Sequence, residues 1–293
     1  MAEIIFQSKL DACAFYNHLL KRLNHKSEYI LLIEDQYIVK IKDELVSMHQ
    51  FTNVKFAFYE FITKIKRDDW FRKILNDQYF YHDLEEQQQI MDIIYSMLEG
   101  QREDLTAFVS EKKEEPKVWE AINHIFQENV SLSFDSFLKF RLRSYIQMLE
   151  GYVEISIDEY KMEQEYQMFV QMLREFLANR EPKMNSLHLL FDEEITFYND
   201  DFVEIKRAEL TKMIDRKLLV NHPVYVDSAS IAPLLSLAPT TIYLYTKNPD
   251  EPLVRTIKNI FEERVTIQTY EALFDTKKWS DGDQFEKSSD QHA

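Results

Sequence analysis

The chain is nearly without glycine: Gly100, Gly151 and Gly282 are the only three in 293 residues. Average usage is about 7%. Glycine is what lets a backbone enter positive φ or press against a phosphate. Walker loops, dinucleotide fingerprints and kinase lids need two or three glycines within a few residues. Those nucleotide-binding solutions are therefore excluded in their usual form, as are the nucleophile elbow and the EF-hand loop. Cysteine is scarcer still: Cys13 alone supports no internal disulfide and no cysteine zinc site. It lies in the apolar-patterned segment 10–23, where a thiol reads as a small core residue. A single cysteine also fits a reducing compartment. No run approaches the roughly 18 apolar residues of a membrane span. The first residues, Met1 to Phe6, show no basic n-region with an apolar h-region behind it. These absences predict a cytoplasmic protein without a membrane span.

What is abundant is acid and aromatic surface. The net charge is −16. Such a chain repels nucleic acid and anionic lipid at long range unless its basic residues are segregated. The hydrophobic fraction is 45%, and 21 Phe with 16 Tyr are enough to build a substantial core. The length favours two domains on the usual scale of about 100–200 residues each.

Residues 4–6 read as a short strand, and Ala12, Phe15, Tyr16, Leu19 and Leu23 mark a helix. Segments 29–33 and 37–41 flank Glu34-Asp35-Gln36 as a hairpin. From 54 the period is helical: 54–65, 70–76 and 84–98, with Gly100 as a C′ stop. The charged run 111–115 before Pro116 breaks the pattern. Residues 133–149 form the densest apolar helix, which Gly151 is expected to end or kink. Residues 158–178, apolar at 162, 166, 169, 173 and 176, are expected to pack antiparallel against it. After Pro182 come a second hairpin (187–191, 195–198) and a helix over 204–216. Short strands at 224–226, 241–245 and 265–267 then alternate with helices at 230–236 and 252–261, the pattern of βαβ units. The fold class is α+β: a mainly helical central body with small α/β elements at the N-terminal and C-terminal ends. The expected divisions are 1–110, 116–182, 183–276 and a disordered tail, 277–293.

The segment Phe137-Leu-Lys-Phe-Arg-Leu-Arg-Ser-Tyr-Ile146 resembles the YtxC-like family of sporulation proteins. So do Asp158-Glu-Tyr160, Glu165 to Arg174, Arg180-Glu-Pro182 and the strand that contains His188. The resemblance covers the second half well and the first half loosely. It implies a sporulation context in the cytoplasm of a Gram-positive cell. It carries over no activity and no catalytic residue.

Four groups of residues are weighed as candidates for chemistry. Lys139, Arg141 and Arg143 could contact an anion. Arg141 points toward the apolar side of its predicted helix, where an arginine needs a carboxylate such as Glu154, Asp158 or Glu165. A structural ion pair is therefore the expected role. Asp227 and Ser228 follow one predicted strand and Thr246 the next. Carboxyl ends of strands bind ligands in α/β sheets, but Asp, Ser and Thr are also ordinary helix caps. His188 with Asp192, Glu193 and Glu194 resembles a metal cluster, yet the acidic trio is better explained as a turn. Glu159 and Glu163 lack the Glu-x-x-His partner of a di-metal helical site. No catalytic residue, metal or cofactor is expected. The residues leave three readings: a non-enzymatic protein acting through a protein partner, a nucleic-acid binder using basic and aromatic helices around 55–75, or a small-ligand or cation receptor at the C-terminal βαβ region. The first is preferred, because no catalytic set is assembled. Its partner is not identified by the residues.

Overall fold

The computed structural model describes residues 2–24, 27–42, 51–109, 114–126, 131–192, 194–215 and 229–274. The chain divides into two compact units, Met1–Met162 and Glu163–Ala293. The mainly helical α+β architecture expected from the sequence is the one observed, with a four-stranded mixed sheet near each end.

In the first unit, β1 (Ala2–Ile5), β2 (Ile30–Ile33), β3 (Ile38–Ile41) and β4 (Ser131–Ser133) form a sheet of order β2-β3-β1-β4. The predicted hairpin is β2–β3, antiparallel, with Ile30 opposite Ile41. β1 pairs antiparallel with β3 and parallel with β4. Helix α1 (Lys9–Arg22) starts at Ser8, whose hydroxyl accepts the Asp11 N–H, and buries Ala12, Phe15 and Leu19. Helix α2 (Phe51–Glu60) passes through a π turn, Phe61–Lys66, into α3 (Arg67–Asp77). The π turn widens the hydrogen-bond ladder and re-phases the apolar stripe, so that Phe58 faces inward before it, Phe61 and Ile62 within it, and Phe71, Ile74 and Leu75 after it.

Helix α4 spans Leu84–Leu98, as its periodicity predicts. Asp83 caps it, accepting the Glu85 and Glu86 N–H groups at 2.8 and 2.9 Å. Gly100, at φ +75°, closes it in a Schellman arrangement: the Gly100 N–H reaches the Met97 carbonyl and the Gln101 N–H the Ser96 carbonyl. The short α5 (Glu103–Thr106) and then α6 (Glu114–Ile125) follow.

The sequence misplaces the break in the apolar middle. Helix α7 (Phe134–Arg141) ends at Leu142, and α8 then runs unbroken from Arg143 to Ala178, through Gly151. The segments 133–149 and 158–178 are therefore not two antiparallel helices. Tyr145, Leu149, Val153, Ile157 and Tyr160 are all buried along one stripe, and that burial exceeds the roughly 1 kcal/mol a glycine costs a helix. Met162, expected at the seam, is exposed.

In the second unit the C-terminal part of α8 buries Phe169, Val170, Leu173 and Leu177 in a core with β5 (Ser186–Phe191), β6 (Ile195–Tyr198), β7 (Thr241–Thr246) and β8 (Val265–Thr269). The sheet order is β6-β5-β7-β8: β5 pairs antiparallel with β6 in the expected hairpin, and β5–β7 and β7–β8 are parallel. Helices α9 (Arg207–Met213), α10 (Ile231–Leu237) and α11 (Pro252–Phe261) complete it. The β7–α11–β8 crossover is one of the predicted βαβ units. The strand predicted at 224–226 and the tail from 277 lie outside the described residues.

The two described glycines make opposite predictions. A Cβ on Gly151 meets nothing within 4 Å, so Gly151→Ala raises stability by about 0.5–1 kcal/mol. Gly100→Ala lowers it by about 1 kcal/mol, because its φ is left-handed. Urea melts of the two variants against the parent measure both.

Candidate functional site

A groove of about 770 Å³ lies in the first unit between α3 and the α7–α8 turn. Its floor is apolar: Trp70 and Ile74 from α3, Leu138 from α7 and Ile146 from α8. The amphipathic period of α3 that buries Phe71 and Leu75 leaves Trp70 and Ile74 at its edge. The turn at Leu142 splays α7 from α8, so Phe140 is 73% exposed beside the floor. Lys139 and Arg143 flank it, and Lys73 faces them from α3. At the other end stand Asp77, Gln78 and Glu150, and Asp135 completes the lining. The Gln78 side-chain amide donates to Glu150 Oε1 at 3.3 Å, and the Tyr79 hydroxyl donates to Glu154 Oε1 at 2.9 Å. Burial, helped by that carboxylate, pushes the Tyr79 phenol up to about 12, so it stays a donor at physiological pH.

Of the three predicted cations, Lys139 and Arg143 meet at this groove. Arg141 does not point toward the apolar side as expected: it is exposed, and among the described residues no carboxylate pairs with it. Leu142 takes the buried position instead, because the break there rotates the residues around it. Glu159, expected on a solvated face, is held by Arg102 at 2.7 Å. The sequence points to Lys139 and Arg143 but not to the floor. Phe140 sits off the stripe made by Phe134 and Phe137, and that is the one signal of its exposure.

The basic residues of the nucleic-acid reading, around 55–75 and at Arg22 beside them, are largely engaged. Arg22 meets Glu60 at 2.5 Å, and Lys64 meets it at 3.4 Å. Lys66 meets Asp11 and Asp69 at 2.8 and 2.9 Å. Arg67 lies 3.6 Å from Asp68, and Arg72 donates to Gln88. Each such carboxylate cancels the long-range attraction that a phosphate backbone would need.

In the second unit, Asp227 and Ser228 lie outside the described residues. Thr246 ends β7, as expected, and is buried. Its hydroxyl accepts the Asn248 N–H at 3.0 Å and donates to the Asn248 carbonyl at 3.2 Å, a local turn. At the carboxyl ends of β5, β7 and β8 stand Asp192, Lys247 and Tyr270. Asp192 accepts from Lys247 at 3.5 Å and from the Tyr270 hydroxyl at 3.1 Å, and Lys247 lies 4.1 Å over the Tyr270 ring. Among the described residues no group of three or more His, Cys, Asp and Glu side chains is placed to hold a metal ion.

His188 lies on the β5 face opposite Leu187 and Leu189, as the alternation predicts, but that face is covered rather than solvated. The ring packs 4.2 Å from Phe202 and 5.0 Å from Tyr243, and Nδ1 is 3.0 Å from the Tyr245 hydroxyl. Ser186 and Asp200 are close by, yet the Ser186 hydroxyl bonds Asp200 directly. That leaves no serine–histidine hydrogen bond of the kind a nucleophilic triad requires. Burial pulls the His188 pKa below its ordinary 6.5, and Asp200 only partly opposes this. The unfolded chain therefore takes up a proton below pH 6.5 that the folded chain refuses, so His188 makes stability fall as pH drops through that value. The expected outcome is that His188→Phe shows a smaller loss of melting temperature between pH 7.5 and pH 5.5 than the parent, measured by calorimetry.

The sequence profile of the YtxC-like family matches residues 52–266, a range that includes every wall of the groove and most of the second unit. The chain is also 34% identical over 280 residues to the "Uncharacterized protein YtxC" of Bacillus subtilis (strain 168), an alignment covering 94% of this chain and 97% of that protein. No solved structure matches. Among the described residues no helix is long and apolar enough to cross a membrane. A profile match over most of the chain and a nearly end-to-end relative lead to one conclusion: this chain belongs to the YtxC-like family.

Proposed function

We propose that this chain is a non-enzymatic cytoplasmic protein of sporulation that works by contacting a protein partner through the groove of its first unit. One observation carries the reading: Phe140, 73% exposed, stands beside an apolar floor. Large rings at the rim of a preformed concavity are the anchors that protein interfaces use. A groove of this volume suits inserted side chains of a partner as well as it suits a small ligand, and its walls are helices rather than loops, so it is preorganised. The sporulation context rests on what the resemblance to the YtxC-like family implies, and the relative in Bacillus subtilis accords with it.

The test is affinity capture of the tagged chain from sporulating cells, with nuclease treatment before elution. A protein in near-equal amount that survives nuclease, and that Phe140→Ala depletes several-fold, is expected. Loss of all partners on nuclease treatment overturns the protein-contact reading. A deletion strain that forms spores at the parental frequency overturns the sporulation context.

A further inference from the structure

The groove is electrically polarised along its length. The α3 helix runs alongside the start of α8 in the same direction: Trp70 stands 6.4 Å from Tyr145, and Gln78, about two turns further on, reaches Glu150 at 3.3 Å. Arg143 and Lys139 precede Tyr145 and so belong to the Trp70 end, Lys73 lies midway along α3 between Trp70 and Asp77, and Asp77 and Glu150 belong to the Gln78 end. Asp135, in the first turn of α7, is the remaining carboxylate of the lining. The three cations are exposed, and among the described residues none has a carboxylate within ion-pair distance. Lys66, Arg22 and Arg102 of the same unit are each paired. In a chain of net charge −16, cations left unneutralised around an apolar floor are complementary to an acidic occupant.

We infer that the groove receives an amphipathic helical segment of a partner protein, apolar on one face and acidic at one end, with its acidic end on Lys139 and Arg143. The inference rests on the protein-contact reading above and adds the chemistry of the partner. The floor of Ile74, Leu138 and Ile146 calls for aliphatic side chains at helical spacing. A uniform polyanion such as a nucleic acid is repelled by the Asp77–Glu150 end and leaves that floor unfilled. A helix oriented this way also sets its positive N-terminal end toward Asp77 and Glu150.

The test uses the full chain and labelled peptides of about 14 residues with leucines at i, i+3 and i+7. One peptide carries glutamates in its last turn, the other lysines. Fluorescence anisotropy is read at about 50 and about 300 mM salt, and a single-stranded DNA oligonucleotide serves as competitor. The acidic peptide is expected to bind at least about tenfold more tightly than the basic one, less so at high salt. The double variant Lys139→Glu with Arg143→Glu, both exposed positions, is expected to reverse the preference with an unchanged circular dichroism spectrum. Equal binding of the two peptides, binding of neither, displacement by the oligonucleotide or indifference to the charge reversal each overturns the inference. A photo-crosslinking residue introduced at Phe140 in sporulating cells separates the two levels. A crosslinked protein partner together with a failed peptide preference removes this inference and leaves the protein-contact reading standing. The absence of any crosslinked protein removes both.

Discussion

Six phenylalanines hold the first unit together. Phe6, Phe15, Phe58, Phe61, Phe134 and Phe137 come from the end of β1, from α1, from α2 and its π turn, and from α7, and all six are buried. Their rings meet at 5.0–6.0 Å, mostly tilted or edge-to-face, as aromatic quadrupoles prefer. Because Phe134 opens α7 inside this cluster, α7 is fixed at its start and free to diverge at its end. The splay at Leu142, and with it the groove, follows from where α7 is anchored.

Charge is arranged around that anchor in two ways. Near the cluster, Glu60 gathers Arg22, His18 and Lys64, and Lys66 is clasped by Asp11 and Asp69. These pairs join α1 to the α2–π–α3 run. At the groove the arrangement is the reverse: Lys139 and Arg143 stand toward one end of an apolar floor and Asp77 and Glu150 toward the other, with Asp135 one helical turn from Lys139 and, among the described residues, no carboxylate in ion-pair distance of the cations. The surface thus offers little to a polyanion and a directional site to an amphipathic segment.

In the second unit, side chains that suggest chemistry in the sequence serve packing. His188 is a stacked ring in an aromatic layer, bonded to a tyrosine. Ser186 and Asp200 satisfy each other at the start of β5, and Thr246 closes a turn. Residue type and position single out His188 and Thr246 in the sequence, and the structure places each in a hydrogen bond within its own unit.

Local signals in the sequence determined much of this protein. The β2–β3 and β5–β6 hairpins, α4 between Asp83 and Gly100, α11 behind Pro252 and the parallel β7–β8 unit are all written in short-range periodicity and caps. These features depend on residues within a few positions of one another, so one chain suffices to read them. The tertiary structure alone decided three things. It carried α8 through Gly151, because a long stripe of buried side chains outweighs the weak helix propensity of one glycine. It broke the helix at Leu142, where neither glycine nor proline marks a stop, because Phe134 and Tyr145 are drawn into different parts of the core. It turned Arg141 outward and left Lys139, Arg143 and Lys73 together at a groove, since whether a charge finds a partner depends on segments far apart in sequence.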